Sequence, residues 1–304
     1  MEDIRRLSRE IEELKHKRRA VILSHVYQRP EVQDVADFVG DSLELSRKAA
    51  ATDAEVIVFC GVHFMAESAA ILSPDKVVVL PSLEALCPMA DMVDEVALAA
   101  RKRELPGAAV VAYVNTSAAV KAESDICCTS ANAVKIVASV PPEQEILFVP
   151  DRNLGQWVQR QTGRPMHFWE GHCNTHDKLR AEDIRTAKAE HPEAVVLAHP
   201  ECRPEVLDLA DRVASTTGML RLARESEEKE FIVATETGLL YTMRQACRDK
   251  QFYAAAARLV CPNMKRTTLP KVRDALLTLG PRVEVEPRIR EKALRSLTRM
   301  LELS

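Results

Sequence analysis

Three short apolar runs along the chain share one pattern, in which the run ends in polar side chains. The runs cover Val21–Tyr27, Val110–Asn115 and Val195–Glu201. The polar positions that end each run recur at intervals of 88 and 86 residues: His25, Tyr113 and His199, followed by Tyr27, Asn115 and Glu201. Apolar runs of this length are typical of buried strands. The common register indicates that one structural unit occurs three times.

Hydroxyl side chains recur in the same register, just ahead of a helical pattern in each repeat. They are Ser42, Ser130 and Thr216. Hydroxyls at this place are typical helix N-caps, and a binding site would use the same groups. A second apolar run follows in each repeat, over Glu55–Phe59, Glu145–Val149 and Glu230–Ala234. A third is visible at Lys76–Leu80 and Pro165–Trp169, and it is weak before Cys261.

Strands that alternate with helices predict an α/β fold of three repeated three-layer α/β/α units with parallel sheets. We expect a first unit over residues 1–104, a second over 105–189, a third over 190–270 and a tail over 271–304. Apolar positions at Ile4, Leu7, Ile11 and Leu14 predict a helix at the N-terminus. Two further helices are expected in the tail, over 271–279 and 289–301.

The amino-acid composition indicates which kinds of molecule the chain is expected to bind. The chain has 304 residues, 46% of them hydrophobic, and 42 basic against 45 acidic side chains without a long block of either sign. We therefore expect neither a nucleic-acid surface nor a membrane span, and we expect a cytoplasmic enzyme of small molecules. With nine glycines in the chain and no GxGxxG motif, nothing supports binding of NAD itself.

Each repeat also contains a cysteine beyond its strands, at Cys87, Cys173 and Cys261. The chain has eight cysteines but no CxxC pair, which excludes zinc ribbons and local ferredoxin motifs. If the units surround a pseudo-threefold axis, the loops beyond their strands meet at one cavity with the three thiols. Three thiolates suit zinc or an iron-sulfur cluster. Cys202 has no counterpart in the other repeats and is expected to be structural or next to a ligand.

Two other interpretations account for the cysteines: a hydrolytic zinc enzyme with three cysteine ligands, and a thiol redox sensor without turnover. Neither accounts for the histidine, tyrosine and glutamate side chains that recur with them. Groups of these types can transfer protons when their pKa values are tuned toward neutral pH. A catalytic site at the common interface is therefore the hypothesis that explains most of the pattern.

Several longer motifs resemble the quinolinate synthase family. They are Pro30–Phe38, Tyr113–Lys121, His199–Cys202, Phe231–Leu239 and Cys261–Lys265. The resemblance implies a [4Fe-4S] cluster held by Cys87, Cys173 and Cys261. It also implies condensation of iminoaspartate with dihydroxyacetone phosphate into quinolinate in NAD biosynthesis, with L-aspartate oxidase as the supplier of iminoaspartate. The iron without a protein ligand would act as a Lewis acid.

The resemblance further implies the residues of the site. Those that would bind substrate are His25, Ser42, Tyr113, Val114, Asn115, Ser130, His199, Pro200, Glu201 and Thr216. Those that would act in catalysis are His25, Tyr27, Tyr113, His176, His199 and Glu201. The tail is expected to pack on the first unit. Departures from the family pattern at Val26, Leu86, Pro88 and Thr175 remove no ligand, so we expect a change in loop shape and retained activity.

Overall fold

The computed structural model describes residues 2–304 of the chain. Within that range the strands form three parallel sheets of four strands each. The first sheet contains β1 (Ala20–His25), β2 (Phe38–Gly40), β3 (Val56–Cys60) and β4 (Val77–Val79). The second contains β5 (Ala109–Tyr113), β6 (Ile126–Cys128), β7 (Ile146–Val149) and β8 (His167–Phe168). The third contains β9 (Val195–Ala198), β10 (Arg212–Val213), β11 (Glu230–Ala234) and β12 (Gln251–Ala254).

Helices connect these strands and flank the sheets. The helices of the first unit are α1 (Glu2–Arg18), α2 (Pro30–Asp34), α3 (Ser42–Ala51), α4 (His63–Leu72) and α5 (Glu95–Glu104). Those of the second are α6 (Ala118–Ala122), α7 (Ala133–Ala138) and α8 (Arg152–Thr162), whereas α9 (Ala181–Glu190) packs on the sheet of the third. Those that follow are α10 (Pro204–Leu207), α11 (Thr216–Glu225), α12 (Leu239–Ala246), α13 (Leu269–Thr278) and α14 (Pro287–Glu302). Short 3₁₀ turns cover Ala90–Met92, His176–Lys178 and Met264–Arg266.

All three sheets have the same strand order, β2-β1-β3-β4, β6-β5-β7-β8 and β10-β9-β11-β12. The repeated α/β fold class is thereby confirmed. The sequence pattern missed one strand in each unit, because β2, β6 and β10 are only two or three residues long. It also left the last strand of the third unit uncertain. In β12 only Phe252 is buried, so the run lacks the continuous apolar character of the central strands.

A partly buried hydrogen bond attaches each short edge strand to its central neighbour. In every unit an aspartate just ahead of the edge strand accepts a hydrogen bond from a backbone N–H of the central strand. The three pairs are Ile22 to Asp37 at 2.8 Å, Val110 to Asp125 at 2.7 Å and Val196 to Asp211 at 2.8 Å. The aspartates lie at equivalent positions of the repeat, so the carboxylate is part of the repeated unit and helps a very short strand to pair.

Apolar side chains cover both faces of each sheet. In β1, Val21 and Leu23 pack into a core that the first two units share, and Ile22 packs on the opposite side toward α1 and α13. Successive residues of a strand point to opposite faces, which explains this division. The third unit has separate cores on its two faces. The first two units are therefore joined mainly by apolar packing.

The predicted terminal helices are present. Leu7 and Ile11 of α1 are buried against α13, which places that part of the tail on the first unit. Helix α14 contacts α4 of the first unit, but it also lies along α6 and β6 of the second. The tail therefore spans two units. No described helix is long and apolar enough to cross a bilayer.

The aspartate bonds predict a measurable effect on stability. Asp125→Ala removes the acceptor for the buried N–H of Val110, and we expect the free energy of unfolding to fall by about 1–2 kcal/mol. Chemical denaturation measures this change. The exposed Asp53→Ala is the control, with an expected change within about 0.5 kcal/mol. A loss for Asp125→Ala no larger than that of the control would mean that the bond adds nothing to stability.

Candidate functional site

The central strands of the three sheets end at one cavity of about 180 Å³. His25 and Tyr113 are the last residues of β1 and β5, and His199 directly follows β9. All three line the cavity. Parallel strands present the loops beyond their carboxyl ends at one edge of the sheet, and such loops commonly form ligand sites. Each unit therefore contributes equivalent side chains to a shared site.

Most of the residues expected from the sequence lie at this cavity. They are His25, Tyr27, Ser42, Tyr113, Asn115, Ser130, His176, His199, Glu201 and Thr216, together with Cys87, Cys173 and Cys261. Val114 and Pro200 are buried but are not among the lining residues of the described chain. Cys202 is also buried behind the wall, where its thiol donates to the carbonyl of Ala234 at 3.5 Å.

The hydroxyls expected to cap helices do not do so. Asp41 caps α3, since its side chain accepts from the N–H groups of Leu43 and Glu44 at 3.0 and 3.1 Å. Ser215 caps α11 in the same way. Ser42 and Thr216 are consequently the first residues inside their helices, with side chains at the cavity. A polar residue precedes each of them, and the sequence pattern does not show which of two neighbours is the cap.

In the second unit the cap position of α7 belongs to Asn132. Ser130 lies two residues earlier, and its Oγ is 3.2 Å from Nε2 of His199. The hydroxyl therefore joins the second unit to the third across the cavity. None of the three hydroxyls that recur in the sequence is needed to start a helix, so all three are free for other contacts in the site.

A chain of short hydrogen bonds crosses the site from the first unit to the third. The hydroxyl of Tyr27 lies 2.6 Å from Oγ1 of Thr235, which lies 2.7 Å from Nε2 of His176. Nδ1 of His176 is 2.7 Å from the carboxylate of Glu201. Thr235 has no equivalent polar residue in the repeat pattern and was not expected from the sequence. Its position directly after β11 was the feature that could have indicated a place in the site.

Burial and hydrogen bonding set the charge of the site. Burial alone would raise the pKa of Glu201, but the adjacent His176 and His199 and the hydroxyl of Tyr113 hold this pKa at about 2. Burial also raises the pKa of both Tyr27 and Tyr113 well above 10. At neutral pH the site therefore contains an ionised carboxylate that accepts hydrogen bonds and two protonated tyrosines that donate them.

Two histidines of the site are neutral donors. Burial lowers the pKa of His25 to about 3, with the ammonium group of Lys265 adding to the effect. Burial lowers the pKa of His199 to about 3 as well, against the attraction of Glu201. In each ring Nδ1 accepts a backbone N–H, from Tyr27 at 3.2 Å and from Glu201 at 3.3 Å. The proton of each neutral imidazole is therefore on Nε2.

The three cysteines lie in loops of matching shape. A 3₁₀ turn begins three residues after each cysteine. A backbone bond joins the loop to the residue three beyond β3, β7 or β11, near the start of the following helix: His63 to Ala85 at 2.8 Å, Arg152 to Gly171 at 2.8 Å and Thr237 to Leu259 at 2.9 Å. The carbonyl that accepts is two residues ahead of the cysteine in every case. The repeat seen in the sequence is thus a repeat of backbone geometry.

The three thiols are weak acids in the absence of a metal. Burial raises the pKa of Cys87 to about 12, and it also raises the pKa values of Cys173 and Cys261. Backbone N–H groups at the start of each 3₁₀ turn partly oppose this effect. A metal that binds here must displace the thiol protons, and its binding is therefore coupled to pH.

The spacing of the sulfur atoms bears on the kind of metal. Among residues 2–304, one set of three candidate ligands has all its atoms within 4.8 Å, namely Cys173, His176 and Glu201. This set is able to hold a metal ion. The three cysteines do not form so compact a set, whereas tetrahedral zinc with bonds of 2.3 Å requires sulfurs about 3.8 Å apart. The cysteine arrangement suits a larger soft group better than one zinc ion.

Comparisons with known proteins find one family model and several similar chains. A family model described as quinolinate synthetase A protein matches residues 9–302. A protein named quinolinate synthase from Desulforudis audaxviator is 60% identical over 294 residues, which cover 97% of each chain. Its namesake from Geobacter metallireducens is 54% identical over 98% of this chain and 97% of the relative. That of Methanoregula boonei is 53% identical over the full length of both.

The neutral histidines predict that stability falls between pH 7 and pH 5. Unfolded histidines have a pKa near 6.5 and take up protons in this range, whereas folded His25 and His199, with pKa values of about 3, do not. Because the unfolded state binds more protons as pH falls, the free energy of unfolding should drop by roughly 2 kcal/mol per histidine. Urea denaturation of metal-free protein at both pH values measures the drop.

Two variants test whether His25 and His199, and not the other histidines, cause this drop in stability. The double variant His25→Gln, His199→Gln should show a clearly smaller drop between pH 7 and pH 5 than the wild type, whatever its absolute stability. His16→Gln, on the exposed face of α1, should keep the full drop. An equal drop in the wild type and the double variant would show that these imidazoles are not held neutral.

Proposed function

The chain belongs to the quinolinate synthase family, and on that premise we propose that it condenses iminoaspartate with dihydroxyacetone phosphate. The products are quinolinate, one phosphate and two waters, which balances the atoms of the two substrates. The reaction would supply the pyridine ring for NAD biosynthesis, with iminoaspartate delivered by L-aspartate oxidase. The observation that carries the proposal is the meeting of one cysteine from each unit with the histidine, tyrosine and glutamate side chains at a single cavity.

The proposed substrates are anionic, and the cavity has groups that suit anions. Ser42 and Thr216 stand at the first positions of α3 and α11, where their hydroxyls line the cavity and the helix dipole favours negative charge. Ser130 and Asn115 add polar side chains from the second unit. The neutral Nε2–H groups of His25 and His199 are further donors. We propose that these groups orient the carboxylates and the phosphate.

The condensation and the loss of water require several proton transfers. The hydrogen-bonded series Tyr27, Thr235, His176 and Glu201 offers a route, because Thr235 can accept a proton from one neighbour and pass one to the other. Tyr27 is at one end and an ionised carboxylate is at the other. We propose Tyr27 as the group that exchanges a proton with substrate, with Thr235 and His176 linking it to Glu201.

The donor set at Cys87, Cys173 and Cys261 suits a [4Fe-4S] cluster, because three thiols from equivalent loops line one cavity and are less compact than the set of Cys173, His176 and Glu201. When bound, such a cluster would supply an iron without a protein ligand as a Lewis acid for a substrate oxygen. The thiol sensor alternative gives no role to the hydrogen-bonded series beside the cysteines.

Metal analysis of anaerobically prepared protein tests the cluster. We expect about four iron and four sulfide per chain, with quinolinate formed from the two substrates. Cys87→Ala, Cys173→Ala and Cys261→Ala should each lose iron and activity. Cys202→Ala is the matched control, since its thiol is buried behind the cavity wall, and it should keep both. Zinc in place of iron, or loss of iron only in Cys202→Ala, would contradict the assignment.

Removal of one hydroxyl tests the proton route. Thr235→Val keeps the shape of the side chain but breaks both contacts of Oγ1, so we expect kcat to fall about 10²–10⁴-fold with unchanged iron content. Thr235→Ser should restore much of the rate. Thr267→Val is the control, because the Thr267 hydroxyl is buried without a partner among the described residues. Similar rates for Thr235→Val and Thr267→Val would rule out the route.

A further inference from the structure

Two buried carboxylates hold the cysteine loops of the second and third units. Asp151 and Glu236 are fully buried. Oδ2 of Asp151 accepts the backbone N–H of Cys173 at 3.1 Å. Oε1 of Glu236 accepts the backbone N–H of Cys261 at the same distance, 3.1 Å. In both units the acid therefore contacts the backbone of the cysteine that faces the cavity.

The second oxygen of each carboxylate is also used. Oδ1 of Asp151 accepts from the N–H of Leu154 at the start of α8, at 2.7 Å. Oε2 of Glu236 accepts from the N–H of Gly238, just ahead of α12, at 2.6 Å. Each acid thus joins a helix start to a cysteine loop through two N–H donors. Each of the two oxygens of the carboxyl group accepts one of these N–H groups.

The repeat supplies an internal comparison. The strand pairs Ala112–Val149 and Ala198–Ala234 correspond, and Asp151 and Glu236 each lie two residues beyond the second member. In the first unit the equivalent pair is Ser24–Cys60, and the residue two further on is Val62. Valine has no acceptor in its side chain. The loop of Cys87 retains the backbone bond from His63 to Ala85 but has no carboxylate.

Close packing also holds the Cys173 loop against the end of β7 in the second unit. A Cβ on Gly171 would lie 2.5 Å from the backbone oxygen of Pro150, so only glycine lets the cysteine loop approach the strand end this closely. The approach brings the N–H of Cys173 within reach of Asp151. In the third unit the ammonium group of Lys265 lies 3.0 Å from Oε1 of Glu236 and balances the buried charge.

We propose that Asp151 and Glu236 are positioning residues that hold the Cys173 and Cys261 loops in the shape required to bind the metal group. The proposal rests on the cluster assigned above, but the hydrogen bonds themselves exist without metal. Groups behind the direct ligands commonly change metal affinity 10–100-fold. In the first unit, the loop of Cys87 would bind the cluster without a hydrogen bond from a carboxylate.

The test uses Asp151→Asn and Glu236→Gln, which keep side-chain volume but replace one acceptor oxygen with an amide donor. Iron loss from the anaerobic holoprotein to a chelator should be about 10–100-fold faster in each variant than in the wild type. Asp94→Asn is the control, because the Asp94 side chain caps α5 by accepting the N–H of Ala97 and not that of a cysteine. Iron loss at the control rate in both variants would overturn the proposal.

Hydrogen exchange in the metal-free protein gives a second readout that does not depend on the cluster. The amide of Cys173 should exchange faster in Asp151→Asn but not in Glu236→Gln, and the amide of Cys261 should show the reverse. Unchanged exchange at both cysteines, or equal acceleration throughout the chain, would overturn the proposal. Absence of iron from the wild type would refute the cluster itself, while the exchange pattern would still decide whether the carboxylates hold the loops.

Discussion

Parallel strand pairing is the constraint on which the site depends. A parallel sheet is covered on both faces by helices, so its carboxyl edge is the place where the chain can present polar groups to a ligand. In this protein three such edges face one another, and His25, Tyr113 and His199 are brought together from units more than eighty residues apart in the chain. The cavity forms because the same sheet topology occurs in all three units.

Low solvent access then determines how the polar groups behave. Exclusion of water makes charge costly, so His25 and His199 stay neutral and the tyrosines stay protonated. Glu201 is ionised because donors surround it, with His176 at 2.7 Å. Hydrogen bonds fix the direction in which each ring and hydroxyl can donate. The site therefore presents hydrogen-bond donors and acceptors in fixed positions.

The three units share a backbone geometry but differ in the side chains that it presents. Every cysteine loop is attached by the same backbone bond to the segment that follows β3, β7 or β11. Carboxylates reinforce that attachment in the second and third units, whereas Val62 replaces them in the first. The first two units share one hydrophobic core, and Val26 of the first unit packs into a core of the third. Arg203 and Asp177 add an ion pair between the third unit and the second. The backbone of the site is therefore repeated three times, whereas its side chains differ between the units.

The sequence alone determined the repeat, the fold class and most of the cavity residues, because buried strands leave a periodic apolar pattern and equivalent loops fall at equal intervals. It did not reveal the short edge strands, whose pairing depends on aspartates such as Asp125 rather than on apolar pattern. It also missed Thr235, since that hydroxyl gains its role only when Tyr27 and His176 approach from other units. Contacts between distant segments are decided by tertiary packing, which no local pattern records.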